Sequence, residues 1–268
     1  MLNRRSILMA IIIMLLTSPV IAGSSDNKKD KEPWARAGLY FGAMTTDINS
    51  NVGLGFGGSG LDVKVDLEDI LELDSNMTVF RVDGFWRISR RNRLDFLYYD
   101  LSRSSDAFLG VEIGGYPIGT EVSTQFDMEI FKTAYTFSIF NDDRIDIGVG
   151  GGLHVLEIYY KMDSPDSGNL DTTAITAPLP VLSFRAEFAL TKNFFLRQSL
   201  DMFFIEFDQS TGQLNDLNIA LEYNFWKHTG IGIGYDIVYA DINTDDEKFL
   251  NEIEIAYSGI FLFGKIYF

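Results

Sequence analysis

Two histidines, His154 and His228, are all the imidazole this chain carries, and it has no cysteine. General acid–base or nucleophilic catalysis would therefore have to be assembled around one of those two rings. The absence of cysteine excludes disulfides, thiolate metal sites and a lipid-anchored N-terminus. The stretch Asp241-Ile242-Asn243-Thr244-Asp245-Asp246-Glu247, followed by Glu252, spaces its carboxylates like the start of a calcium loop but lacks the glycine of the sharp turn. It reads as a solvated acidic loop, and no metal or cofactor site is assigned. Gly148-Val149-Gly150-Gly151-Gly152 does not fit a dinucleotide fingerprint, and no helix is expected after it. A formal net charge of −16 leaves no basic face for nucleic acid.

The other charges with a pattern are Arg87, Asp95, Arg185, Glu187, Arg197 and Asp201, each on a face that alternates with a mostly apolar one at every second position. Only strands place residues that way. Ten such segments can be read, over residues 34–46, 78–88, 93–102, 122–140, 145–160, 177–190, 194–207, 214–225, 230–242 and 252–268. In the segment from 145, for example, Ile147, Val149, Leu153 and Val155 share one face, while Asp146, Gly148, Gly150, Gly152 and His154 share the other. Two segments change phase. Near Ile130-Phe131 a bulge or a hairpin standing above the membrane is expected, and near Gly259, where Ile253, Ile255 and Tyr257 fall out of phase with Ile260, Leu262 and Ile266, a bulge is expected.

The connections alternate in length. Turns of about four residues follow the second, fourth, sixth and eighth segments, whereas the odd segments are followed by longer loops. The longest is 47–77, with a glycine cluster and the acidic run VDLEDILELD. Other loops are expected over 103–121, 161–176, 208–213 and 243–251. An even strand count with apolar residues on one face throughout predicts an all-β fold, a transmembrane antiparallel up-and-down β-barrel of about ten strands, with eight or twelve as alternatives. Residues 1–22 carry Arg4 and Arg5, an apolar run too short for the roughly 20 residues of a membrane helix, and a small-residue end at Ala22. They read as a secretory signal peptide. Residues 23–33 read as a charged periplasmic leader, and 34–268 as the barrel.

Inside such a barrel, adjacent strands would pair Arg87 with Asp95 and Glu187 with Arg197. Arg185 and Asp201 would extend those pairs, together with Glu222, Asp236 and Lys265. A barrel this narrow is filled by its own side chains, so a packed polar plug is the first expectation and a narrow charged pore the alternative.

The signal segment, alternating strands, short turns and terminal Phe268 resemble the small outer-membrane barrels of Gram-negative bacteria, the broad group that includes the OmpA and OmpW types. That resemblance implies residence in the cell outer membrane, contact with its lipid and lipopolysaccharide, and recognition by the barrel-assembly machinery through the last strand. In that group the last strand ends on an aromatic with another two residues earlier. Here Phe268 matches, Ile266 replaces the second aromatic, and Gly264 lies on the same face. Barrel proteases of the omptin kind set acidic residues beside a histidine at the outer rim, and no such acidic pair is recognisable beside His154. The expected role is structural or surface-interacting, with no enzyme activity. The alternatives are a narrow channel for small or apolar solutes and a rim enzyme acting on lipid or peptide.

Overall fold

The computed structural model describes residues 34–55, 62–113, 116–164, 169–207, 210–243 and 250–268. The proposed signal peptide and leader lie outside the described residues. The strands are β1 (Ala37–Gly55), β2 (Asp62–Asp66), β3 (Asn76–Arg87), β4 (Asn92–Phe108), β5 (Glu121–Asn141), β6 (Ile145–Ser164), β7 (Asn169–Ala189), β8 (Phe194–Phe207), β9 (Ser210–Trp226), β10 (Thr229–Asn243) and β11 (Leu250–Tyr267). All pair antiparallel with their neighbours. β11 closes on β1 from Gly38↔Tyr267 upward, so ten strands form a barrel with no free end. β2 is the extra strand. It pairs with β1 through Asn51↔Asp66 to Gly55↔Asp62, above the point where β3 leaves β1.

Alternation explains the wall. On β11, Leu262 is 61% exposed between Phe261 at 1% and Phe263 at 5%. Phe41, Phe80, Tyr98, Phe131, Leu153, Phe184 and Ile233 are likewise exposed on the outside, a surface that only hydrocarbon satisfies at this density. On β6 this outward apolar row runs from Ile147 to Val155. At a rise of about 3.3 Å per residue and a tilt of about 40° it covers roughly 20 Å of height, most of the apolar band. Trp86, Phe194, Tyr223, Phe225 and Trp226 gather at the short-turn end, as interfacial aromatics do.

Above that row the pattern inverts. Outward positions on β6 become Glu157, Tyr159, Lys161 and Asp163, while Leu156, Ile158, Tyr160 and Met162 point inward and are buried. The same change occurs on β5 with Phe126, Met128 and Ile130 and on β11 with Ile253, Ile255 and Tyr257. The wall therefore continues out of the membrane as a water-facing sheet around an apolar core, to which Leu67, Leu71 and Leu73 after β2 contribute. This inversion corrects the bulge expected near Gly259: the register runs unbroken through Thr46↔Gly259 and Asp236↔Gly259. It also decides between the two readings near Ile130-Phe131, because β4 and β5 pair without interruption from Asn92↔Phe137 to Phe108↔Glu121. The segment 161–176, read as a loop, is strand up to Ser164 and again from Asn169. Likewise 47–55 extends β1, because polar residues outside and apolar ones inside are still a strand once the surroundings change from lipid to water.

Candidate functional site

The lower lumen is a stack of ion pairs. Nearest the short turns, Arg87 donates to Asp146 Oδ2 at 2.5 Å and to Glu187 Oε2 at 2.7 Å, and Arg185 Nη1 donates to Asp146 Oδ2 at 2.9 Å. Arg93 also pairs with Glu187, and its Nη2 lies 2.7 Å from Asp95 Oδ1. Higher up, Arg197 reaches Asp83 at 3.5 Å and Glu222 at 3.4 Å, with its guanidinium 4.4 Å from the centre of the Tyr40 ring. Lys265 completes that level through Glu222. Arg81 then bridges Asp83, at 3.0 Å, and Asp236, which also accepts from Asn218 at 2.8 Å.

The top level is a square. Lys132 and His154 are direct cross-strand neighbours on β5 and β6, and Asp201 and Asp216 are direct neighbours on β8 and β9. The two aspartates, like charges side by side on one wall, repel and are stabilised by the wall they face. Lys132 Nζ contacts Asp201 and lies 3.2 Å from Asp216 Oδ2, while His154 Nε2 lies 3.3 Å from Asp201 Oδ2 and Nδ1 lies 3.9 Å from Asp216 Oδ2. An acidic pair thus does stand beside His154, contrary to the sequence expectation, because both aspartates come from strands across the lumen. The same three ligand-type residues could be taken for a metal group, their candidate atoms lying within 4.8 Å of one another. The Lys132 ammonium already fills the position between the two carboxylates. All four are buried, and above them the Tyr99 and Tyr257 hydroxyls meet under the apolar core.

Of the residues singled out from sequence, Arg87, Arg185 and Glu187 come together in one cluster. Asp95 joins it through Arg93, Arg197 sits one level up, and Asp201 belongs to the square. Arg87 takes Asp146 and Glu187, and Glu187 lies opposite Arg197 in the ladder while bonding to Arg87 and Arg93. Sequence reasoning missed Arg93, Lys132 and Asp216 as site members. Arg93 has the inward parity of its strand, a signal that was available. Gly264 and Ile266 face outward beside β1, opposite Phe41 and Leu39, and the Phe268 carbonyl accepts from the Arg36 and Ala37 amides at 3.1 and 3.3 Å. The described residues leave spaces in the lumen. One of about 60 Å³ lies between Asp83, Asp95, Arg185 and Ser199, and one of about 10 Å³ lies above His154, room for a few waters in the first. Outside the membrane, Lys64 bridges Glu252 at 3.0 Å and Glu254 at 2.7 Å, and the Glu254 bond in particular holds its pKa above the usual lysine value.

No protein-family model and no curated protein matches the chain. Solved structures do. The outer membrane protease OmpT from Escherichia coli is similar with a TM-score of 0.51 at 11% identity, over 91% of this chain and 100% of that one. Ail, the attachment invasion locus protein of Yersinia pestis, is similar with a TM-score of 0.35 at 11% identity, over 86% and 97%. AlkL in lipid bilayers gives 0.36 at 12%, over 92% and 97%. At such identities likeness reaches the fold and no further. A closed ten-strand antiparallel wall with an apolar belt outside fits one setting, and the chain is an outer-membrane β-barrel.

Proposed function

We propose that this barrel is sealed and non-enzymatic, holding a water-facing β-structure above the outer membrane as a structural or surface-interaction platform. The observation that carries the reading is the filled lumen: ion pairs in the lower half, the Lys132–His154–Asp201–Asp216 square above them, and a buried apolar core at the top. A charged pore would keep its ionic side chains wet, whereas nearly all of these are buried and paired with one another, several of them across the axis. His154, the residue best placed for catalysis, lies beneath the Tyr99–Tyr257 contact and the apolar core rather than at the rim. The belt meets lipid, and the carboxylates just above it, Asp100, Glu129 and Glu157, suit lipopolysaccharide bridged by divalent cations. Gly264 and Ile266 of β11, with Phe268 after it, are the proposed signal for the barrel-assembly machinery. Proteoliposome swelling in arabinose tests the seal: swelling no faster than in protein-free liposomes is expected, and swelling in proportion to protein content would overturn it.

A further inference from the structure

The wall is not complete to its top. β7 and β8 pair only from Ala189↔Phe195 to Leu182↔Met202, although β7 begins at Asn169 and β8 continues to Phe207. The five positions from Phe203 to Phe207 make no ladder with β7. Ile205 has the inward parity of Asp201 and Phe203, yet it is 48% exposed, and Phe204 beside it is 70% exposed. The top of β8 therefore stands away from β7.

Two prolines explain why the ladder stops there. The Ala189 amide donates to Arg144 O on the β6 side, so odd residues of β7 bond towards β6 and even ones towards β8. Pro178 and Pro180 are even. Proline has no N–H and fits a strand only where its nitrogen faces an unpaired edge. Immediately above Leu182, then, β7 has no donor for β8. The two prolines lie opposite Val155 and Leu153 of β6, at the height of the apolar belt, where an unpaired N–H would be costly. Above them Thr176, Ala174, Thr172 and Leu170 still have donors, pointing into the gap outside the membrane.

A similar gap between β3 and β4 is filled by the chain itself. Pairing there ends at Arg81↔Tyr99, and the segment after β2 covers the rest of β4: Leu71 and Leu73 are buried, the Leu71 carbonyl accepts from Ser105 Oγ at 2.5 Å, and Arg103 pairs with Glu68. Among the described residues nothing pairs with the upper β7 edge.

We propose that this edge receives an extended segment of a partner polypeptide, which adds a strand to β7 above the membrane. From Leu170 to Thr176 the edge carries no lysine, no proline and no outward charge; of the guards against strand addition it has Asp171, whose inward side chain accepts from Tyr116 at 2.8 Å, and below it the two prolines, which leave the donors from Leu170 to Thr176 in place. An added strand would place alternate side chains over Ile175, Ala177 and Leu179, and the others outward beside Glu206 and, one strand beyond Thr176, Glu157. The partner chemistry is thus apolar residues alternating with basic ones. This deepens the surface-interaction reading and rests on it.

Amide hydrogen exchange on the full folded protein tests the proposal, with a ten-residue peptide of alternating valine and lysine as probe and its valine–glutamate counterpart as control. In the free protein, the Leu170, Thr172, Ala174 and Thr176 amides should exchange rapidly and the Asp171, Thr173 and Ile175 amides slowly. The valine–lysine peptide should slow the first set at least tenfold, and the glutamate peptide should not. Thr172→Pro and Ala174→Pro, which remove edge donors while leaving the β6 ladder intact, should abolish the effect in a barrel that still migrates as folded. Slow exchange of the even set without peptide, no slowing with it, or undiminished binding by the folded proline variants would each overturn the edge proposal. The arabinose result would be untouched by any of them.

Discussion

Glu187 and Arg197 stand directly opposite one another in the β7–β8 ladder, yet Glu187 bonds to Arg87 at 2.7 Å and to Arg93, while Arg197 reaches Asp83 and Glu222 at 3.5 and 3.4 Å. Arg87–Glu187, Arg93–Glu187 and Arg197–Asp83 bind across the barrel, while Arg93–Asp95 and Arg197–Glu222 bind along its wall. In a tilted barrel this narrow, inward side chains of strands far apart in sequence meet at the axis. The network therefore ties opposite walls together, and its members should be strongly coupled in energy.

Lys132→Met should be among the most damaging lumen substitutions. It leaves Asp201 and Asp216 as adjacent buried carboxylates with only His154 beside them. Breaking one partner out of a buried ion cluster costs about 3–5 kcal/mol, read as a lower urea midpoint for the barrel in lipid. Adding Asp201→Asn to Lys132→Met should recover part of that loss. Equal destabilisation by the single and double variants would show that the square is not a unit.

Gly150 has no room for a side chain. A Cβ there would meet the Tyr135 carbonyl oxygen of the neighbouring strand, which cannot move aside, whereas at outward Gly151 the nearest atom is the Val181 carbonyl oxygen at 3.3 Å. Gly150→Ala should cost about 1–3 kcal/mol, and Gly151→Ala should cost less than half as much on the same urea axis.

Replacing Pro178 by Thr and Pro180 by Val restores two donors on the β8-facing edge of β7. The ladder should then extend upward, and the Phe204 and Glu206 amides, fast in the native chain, should become slow to exchange. Unchanged exchange would mean that something other than the prolines holds the strands apart.

Deleting Phe268 removes the carbonyl that receives the Arg36 and Ala37 amides and the terminal aromatic proposed as the assembly signal. The heat-modifiable folded fraction in the outer membrane should fall several-fold. A normal folded fraction would dismiss that role for the last strand.

The period-two pattern made the wall legible, down to Leu262 facing out between Phe261 and Phe263, and the short turns fixed which ends meet. What periodicity cannot state is the medium. Ile253, Ile255 and Tyr257 show which face is apolar, but only height above the membrane says that this face now points inward, so the inversion was read as a bulge. The inward glycines leave space for large neighbours: the Phe261 and Phe263 rings lie against Gly234 and Gly232. Charge partners were legible only in kind. Arg87, Glu187 and Asp201 could be placed inside, but Arg87 with Asp146, or Lys132 with Asp216, depends on closure of the whole barrel. Pro178 and Pro180 were visible within a strand, and their meaning needed the parity set by Ala189.

The most direct measurement is single-channel recording of the pure refolded protein in a planar bilayer. The sealed lumen predicts a silent membrane at either polarity. Reproducible openings of uniform size from the unaltered protein would contradict it.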